Sequence, residues 1–87
     1  MSYHLDFSDQ ANSDISYHKK IGNKAVLRKI LNLLNELSEH PFEGTGKPEA
    51  LKHNLSGFWS RRINNEHRLV YEVYIDIVYI ISVKGHY

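Results

Sequence analysis

The stretch 58-FWSRRINNEHRLVYEVYIDIVYIISV-83 contains three runs rich in β-branched and aromatic residues. The runs FWSRRI, HRLVYEVY and IVYIISV are separated only by Asn64-Asn65-Glu66 and by Ile75-Asp76. Connections this short join neighbouring strands as hairpins, because parallel strands need a long crossover between them. The stretch therefore predicts a three-stranded antiparallel meander onto which the rest of the chain must pack.

Two helical segments precede the meander. Ser8 is a candidate N-cap for a weakly apolar helix that runs to about Lys20 and has Ala11 and Ile15 on one face. After the break at Gly22-Asn23, the stretch 24-KAVLRKILNLLNELSEH-40 is the best helical pattern in the chain, and Pro41 ends it. Its apolar stripe comprises Leu27, Ile30, Leu31, Leu34 and Leu37, widened by Val26 and Leu33.

The opening 3-YHLDF-7 alternates apolar and polar residues with the period of a half-buried strand. The resulting order of elements, β-α-α-β-β-β, predicts the α+β class. We expect a curved antiparallel sheet of four to five strands, with the two N-terminal helices packed on one face. The first strand should join beside one of the later three. A length of 87 residues predicts a single domain over 1–87.

A long connection, 41-PFEGTGKPEALKHNLSG-57, lies between the second helix and the meander. Its two prolines and three glycines argue against regular structure, apart from a short extended piece at 49–52. Loops of this length in small domains are usually functional or disordered, and the charged side chains here favour a functional loop.

The net charge is only +1, but its distribution along the chain is uneven. Five of the six Lys and Arg residues after position 43 fall between Lys47 and Arg68. A basic cluster interleaved with aromatic residues is typical of contact with a polyanion such as RNA, although a solvated strand face would look similar. The chain has no cysteine, no apolar run long enough to span a membrane and no signal-peptide pattern at its start, so we expect a cytoplasmic protein without membrane contact.

The chain offers no pattern for metal or nucleotide binding. His53, His67 and His86 fall on different elements, without cysteines or paired carboxylates beside them. Gly44 and Gly46 are not followed by the lysine and hydroxyl residue of a phosphate-binding loop. We therefore expect neither a metal nor any other cofactor.

Metal-free RNA cleavage needs a base for the 2′-hydroxyl, an acid for the leaving 5′-oxygen and a cation for the charged phosphorane. Glu49, His86 and Arg68 are candidates for these three roles. Each also has a structural alternative: Glu49 can simply solvate its loop, and the arginines can pair across strands with Glu66 or Glu72. Of Phe58 and Trp59, which alternate faces, one belongs in the core and the other can stack on a base. Lys52 and His53 are as compatible with an ordinary surface as with a ligand site.

The stretch 41-PFEGTGKPEALKHNLSGFWSRRINNEHRLVYEV-73, together with the final His86-Tyr87, resembles the YoeB family of toxins in the RelE-like superfamily. Three separate motifs carry the resemblance: GKPE followed by LKHNLSG, FWSRRI, and EHRLVY. The first 40 residues match only as a strand and two helices. The resemblance implies a RelE-like, microbial-ribonuclease-like fold and an mRNA endonuclease that cuts the message in the ribosomal A site and so inhibits translation.

By motif position, the resemblance implies catalytic roles for four residues. Glu49 would be the general base, His86 the general acid and Arg68 the stabiliser of phosphorane charge, while Tyr87 would complete the site. Lys52 and Arg62 would hold the RNA backbone. Among the other residues of the basic cluster, further RNA contacts are expected from Lys47, His53 and Trp59.

The resemblance also implies partners. A cognate YefM-like antitoxin, the ribosome and mRNA are expected, together with operator DNA for the toxin–antitoxin complex and a homodimer or hetero-oligomer. The alternative is a subunit that binds RNA or operator DNA without cleaving it. Gly85 stands where the family often has a larger residue before His-Tyr, which predicts a freer terminus.

Overall fold

The computed structural model describes residues 2–52 and 57–85 as two helices and a five-stranded sheet. The helices are α1 (Asp9–Lys20) and α2 (Lys24–Leu37). The strands are β1 (His4–Phe7), β2 (Glu49–Ala50), β3 (Phe58–Arg62), β4 (Arg68–Tyr74) and β5 (Ile77–Ser82). Their order across the sheet is β1-β5-β4-β3-β2. The predicted α+β class is confirmed, and the meander forms the middle of the sheet.

The sheet is mixed rather than purely antiparallel. β1 pairs with β5 in parallel, from His4 opposite Ile77 to Phe7 opposite Ile80. No hairpin links these two strands, because two helices and most of the chain separate them, so nothing local determines their relative direction. The first strand does lie beside a strand of the meander, as expected. A bulge at Val70/Tyr71 interrupts the register between β4 and β5, and bulges of this kind bend a strand.

Local capping sets the helix starts where the sequence predicts them, whereas α2 ends at Leu37 with Ser38 as its C-cap, before the predicted end at His40. Ser8 caps α1, since its Oγ accepts from the Ala11 N–H at 2.9 Å while donating to the Ile81 carbonyl of β5 at 2.6 Å. The first contact satisfies a free amide of the helix and the second joins the helix to the sheet. The Asn23 side chain caps α2 in the same way, through the Val26 N–H. None of the described helices is long and apolar enough to cross a membrane.

The buried stripe of α2 is rotated away from the predicted one. Leu31 is 58% exposed, whereas Val26 and Leu33, expected only at the margin, are buried. The apolar arc of this helix is wider than the sheet can cover, so its centre packs on the sheet and its edge lies in an open groove beside Ile15 of α1. The core cluster that α2 helps to form contains Ala11, Val26, Ile30, Leu33, Leu37, Ile63, Leu69, Tyr71, Val78, Ile80 and Val83.

The side chain of Arg61, on β3, is completely buried at the helix-covered face of the sheet. Its guanidinium donates to Glu36 Oε1 at 3.1 Å, to the carbonyls of His40 and Glu43, and more weakly to the Thr45 carbonyl at 3.4 Å. Its Nε donates to the Tyr71 hydroxyl at 3.3 Å. An arginine can satisfy this many acceptors because its fork carries five N–H groups. The chain after α2 is thus folded around one buried cation.

The same loop is joined to β3 and β4 by further contacts. The Tyr71 hydroxyl donates to the Pro41 carbonyl at 2.6 Å, and burial raises the pKa of this hydroxyl. Gly46 accepts from the Arg62 N–H at 2.7 Å with φ of +85°, and a Cβ there would lie 2.9 Å from the Arg62 carbonyl oxygen. Only glycine fits both the conformation and the space. The loop therefore reaches β2 along a defined path.

Replacing Arg61 by leucine is expected to destabilise the fold by about 3 kcal/mol, since three carbonyls, a hydroxyl and a carboxylate lose a common donor. Urea denaturation measures the free energy of unfolding. The matched change Arg28→Leu, on the exposed side of α2, should cost less than about 0.5 kcal/mol. Equal effects of the two substitutions would contradict the role of Arg61.

Glu36 is expected to make stability depend on acid. Hydrogen bonding from Thr45 holds the pKa of Glu36 below its ordinary value of 4.5, and the charge of Arg61 adds to this against the opposing effect of partial burial. The stabilisation is therefore complete above that ordinary value and disappears as the pH falls through the lower folded-state pKa. Urea midpoints of the native chain and of Glu36→Gln should converge as the pH falls below about 4.5. The exposed Glu39→Gln should show no such convergence.

Candidate active site

The sheet face turned away from the helices carries the predicted base and cations. We call it the distal face and define it by Glu49, Ser60, Arg62, Arg68 and Val70. Cross-strand register places Glu49 opposite Ser60, Ser60 opposite Val70, and Val70 opposite Ser82. Directly opposed residues point to the same side of a sheet. One row therefore crosses four strands, with Glu49 at the β2 end and Ser82 on β5.

Arg62 and Arg68 form the neighbouring row, directly opposite each other on β3 and β4. Opposed residues on antiparallel strands have Cβ atoms roughly 5 Å apart, and like charges in such a pair repel. Within residues 2–52 and 57–85, the ion pairs involve Arg61, His40 and His67, whereas Glu72 lies opposite Phe58. The alternative in which Arg62 and Arg68 pair with Glu66 or Glu72 is therefore absent from the described contacts. Two adjacent guanidinium groups on one face are suited to an anion.

Glu49 lies at an edge position of the distal face. Glu49 on β2 lies two strands away from Arg68 on β4 and one cross-strand row away along the strands. The Cα atoms of Glu49 and Arg68 are therefore on the order of 12 Å apart. Glu49 is exposed and Arg68 is half-buried, whereas Ser60 and Val70, which lie between them on this face, are buried.

Gly85, the last described residue, is held beside Arg68. The Arg68 N–H donates to the Gly85 carbonyl at 2.7 Å, and the Gly85 N–H donates to His67 Nδ1 at 3.0 Å. Both backbone groups of Gly85 are thus hydrogen-bonded, while the freer terminus expected after it stays a prediction. His86 and Tyr87 themselves lie outside the described residues, as does His53.

The remaining predicted RNA contacts are dispersed. Lys47 and Lys52 are exposed on either side of β2, near Glu49 in sequence. Trp59 is half-buried on the opposite face of the sheet, where it packs against the core and lies 5.2 Å from the Phe42 ring. Of the two neighbouring aromatic residues, Phe58 is the one on the distal face, because it alternates with Trp59 and lies two residues from Ser60 on β3. The structure brings Glu49, Arg62 and Arg68 to one face and leaves Trp59 on the other.

The sequence reasoning missed three polar residues that hold the chain end: Asp14 and His18 on α1, and His67 before β4. All three are buried. The only local signal was the spacing of Asp14 and His18, which puts both on one face of α1. His67 was considered only as a metal ligand, and no cluster of three His, Cys, Asp or Glu side chains suited to a metal occurs among the described residues.

The chain is similar to known proteins over most of its length. A family model for the YoeB-like toxin of bacterial type II toxin–antitoxin systems matches residues 7–87. Toxin YoeB of Escherichia coli K12 is 48% identical over 83 residues, which cover 95% of this chain and 98% of that protein.

Two solved structures from Staphylococcus aureus, the YoeB dimer and the YoeB–YefM complex, each align over 100% of both chains. The identities are 44% and 45%, and the TM-scores are 0.88 and 0.86. The matches extend through the helices, which the three sequence motifs do not cover. The chain belongs to the family of YoeB-like toxins of bacterial type II toxin–antitoxin systems.

Proposed function

We propose that this chain is a ribosome-dependent mRNA endonuclease that cuts the message in the A site and thereby inhibits translation. The observation that carries the proposal is the juxtaposition of a carboxylate with two opposed arginines on one sheet face, next to the hydrogen-bonded Gly85. A phosphodiester relieves the repulsion between two such arginines, and the carboxylate supplies a base. Family membership supports the same activity.

The proposed mechanism is metal-free attack by the 2′-hydroxyl. Glu49 takes the proton from this hydroxyl, and the 2′-oxygen forms a bond to the adjacent phosphorus. The P–O5′ bond then breaks while His86 donates a proton to the departing 5′-oxygen. The products are a 2′,3′-cyclic phosphate and a free 5′-hydroxyl. Glu49 has then gained one proton and His86 has lost one.

The positive side chains have separate roles in this proposal. Arg68 stabilises the negative charge of the phosphorane, because a preorganised cation interacts more strongly as that charge develops. Arg62 and Lys52 hold the RNA backbone on either side of the reacting phosphate, with Lys47 and His53 adding charge nearby. Tyr87 completes the site. A contact of Trp59 with RNA stays a prediction that needs a base to pass around the β2 edge of the sheet.

The partners proposed for this chain follow its relatives. The toxin of S. aureus has been solved both as a dimer and with YefM. We propose a YefM-like antitoxin as the inhibitor of this chain, a dimer or hetero-oligomer as its resting assembly, and operator DNA as a ligand of the complex. The ribosome and mRNA are the partners of the released toxin.

A non-cleaving subunit that only grips RNA or operator DNA is the competing function, and the paired arginines suit it equally. Salt dependence does not separate the two, because phosphate contacts dominate both. The state of the mRNA separates the two functions, because a protein that only binds RNA leaves the message intact. The mechanism further requires that a single 2′-deoxy nucleotide at the cut position blocks cleavage.

Glu49→Ala and Arg68→Ala are each expected to slow cleavage on translating ribosomes by about 100- to 1000-fold, since each removes a group that acts on developing charge. His86→Ala should fall at least as far. The measurement is the single-turnover rate with the ends of the message mapped, and growth arrest should be relieved in parallel.

Matched controls for these substitutions are Glu39→Gln and Arg28→Ala, which change exposed groups outside the distal face. Both should cut at the native rate and give the same 2′,3′-cyclic end. Native rates in all three site variants would refute the catalytic assignment, and a product ending in a 3′-hydroxyl would refute attack by the 2′-hydroxyl.

Removing His86-Tyr87 is expected to abolish cleavage and to leave the urea midpoint nearly unchanged, because Val83 is the last residue of the core cluster within residues 2–52 and 57–85. A short Gly/Ser tail fused after Tyr87 should also impair cleavage, whereas the same tail fused before Met1 should not. Cleavage at an undiminished rate by either C-terminal variant would show that the terminus takes no part in the chemistry.

A further inference from the structure

The three residues before the terminal dipeptide, Val83 to Gly85, are held by side chains that the proposed chemistry does not use. Val83 is completely buried, although the β5 strand has already ended at Ser82. Chain ends normally fray because few contacts hold them. Here the contacts come from α1 and from the residue before β4.

Helix α1 binds both backbone groups of Val83. Asp14 Oδ2 accepts from the Val83 N–H at 3.0 Å, and His18 Nε2 donates to the Val83 carbonyl at 2.9 Å. A carbonyl can only accept, so the proton of a neutral His18 must be on Nε2. Asp14 is itself oriented by Gln10, whose Nε2 donates to its other oxygen at 2.8 Å. These contacts continue the sheet's hydrogen bonding with side chains after β5 ends.

His67 binds the next point along the segment. Its ring is buried and packs edge-on against the His18 ring, with centroids 4.8 Å apart. Its Nδ1 accepts from the Gly85 N–H at 3.0 Å, and the backbone N–H of the following residue, Arg68, donates to the Gly85 carbonyl at 2.7 Å. Gly85 has a φ of +75°, a conformation that favours glycine, so the chain turns where it is bound to these two residues.

Four hydrogen bonds thus fix the main chain over three residues, two from α1 and two from His67-Arg68. Buried polar side chains are costly unless they are hydrogen-bonded, so Asp14, His18 and His67 would be poor choices for these positions if packing alone mattered. Asp14 Oδ2, His18 Nε2 and His67 Nδ1 each meet the backbone of Val83 or Gly85 at hydrogen-bonding distance, while His18 Nδ1 has no partner among the described residues. The network therefore defines the point from which the terminal dipeptide departs, directly beside Arg68.

We propose that Asp14, His18 and His67 are positioning residues for the terminal general acid, an inference that rests on the proposed ribonuclease function. They touch neither RNA nor the reacting atoms. They hold Val83–Gly85 so that His86 starts from the backbone of Arg68, the residue proposed to stabilise the phosphorane. A displacement of about 1 Å in such a group lowers rates by about 100-fold.

The test uses the purified full chain and pairs of substitutions at His67. His67→Leu keeps much of the volume and removes the acceptor, whereas His67→Asn returns an oxygen acceptor close to the position of Nδ1. We expect His67→Leu to lower the single-turnover rate on ribosomes about 100-fold with little change in KM, and His67→Asn to recover most of that loss. A purely structural role would be filled equally well by leucine. The exposed His4→Leu is the matched control and should cut at the native rate.

Amide hydrogen exchange gives a second measurement that needs neither RNA nor ribosomes. The Gly85 amide should be protected in the native chain and exchange at least tenfold faster in His67→Leu, while the amides of β4 stay protected. The Val83 amide should respond in the same way to Asp14→Leu and much less to Asp14→Asn.

The outcomes separate the two claims. A native chain that leaves the message uncut would contradict the proposed function, whatever the exchange data show. Cleavage by the native chain with no loss in His67→Leu, or a Gly85 amide that exchanges equally in both chains, would overturn the positioning role. A loss in His67→Leu that His67→Asn does not recover would also overturn it, since the acceptor would then not be the cause.

Discussion

The burial of the Arg61 guanidinium is the constraint on which the rest of the structure depends. A fully buried cation must be compensated, and here one carboxylate, three main-chain carbonyls and a tyrosine hydroxyl do so together. The carbonyls belong to the stretch between α2 and β2, which has no helix or strand of its own to satisfy them. The guanidinium and the loop therefore satisfy each other, because the loop carbonyls accept from the buried cation and the cation orders the loop.

The ordered loop determines where Glu49, at the edge of the proposed site, lies on the sheet. Once the chain is bound to Arg61 and, through Gly46, to the backbone of Arg62, its continuation can only run along β3. Glu49 consequently lies opposite Ser60 in a two-residue strand that would be too short to persist alone. Away from the β2 edge, the segment that follows β5 and includes Gly85 lies beside Arg68. The proposed active site thus depends on two irregular segments held by buried polar side chains: the loop before β2 by Arg61 of β3, and Val83–Gly85 by Asp14 and His18 of α1 together with His67.

The sequence predicted the helices and strands better than it predicted the contacts between them. Ser8, Gly22 and the turns at 64–66 and 75–76 are local signals, and they marked the helices and the meander closely. The parallel pairing of β1 and the exposure of Leu31 are not local, because both depend on how much sheet is available for the helices and the first strand to cover. Arg61 and Arg62 show the same difficulty: adjacent and chemically identical, they differ only in which sheet face each one meets.

By itself, the sequence determined the α+β class, the order of the elements, the motifs of the YoeB family and the list of chemically competent groups. These depend on short-range periodicity, capping and turn chemistry, or on residue identity. Only the tertiary structure decided that Glu49, Arg62 and Arg68 share one face, that Trp59 lies on the other, and that Asp14, His18 and His67 hold the chain end. Such choices follow from strand register and from the cost of leaving buried polar groups without partners, and both are properties of the whole fold.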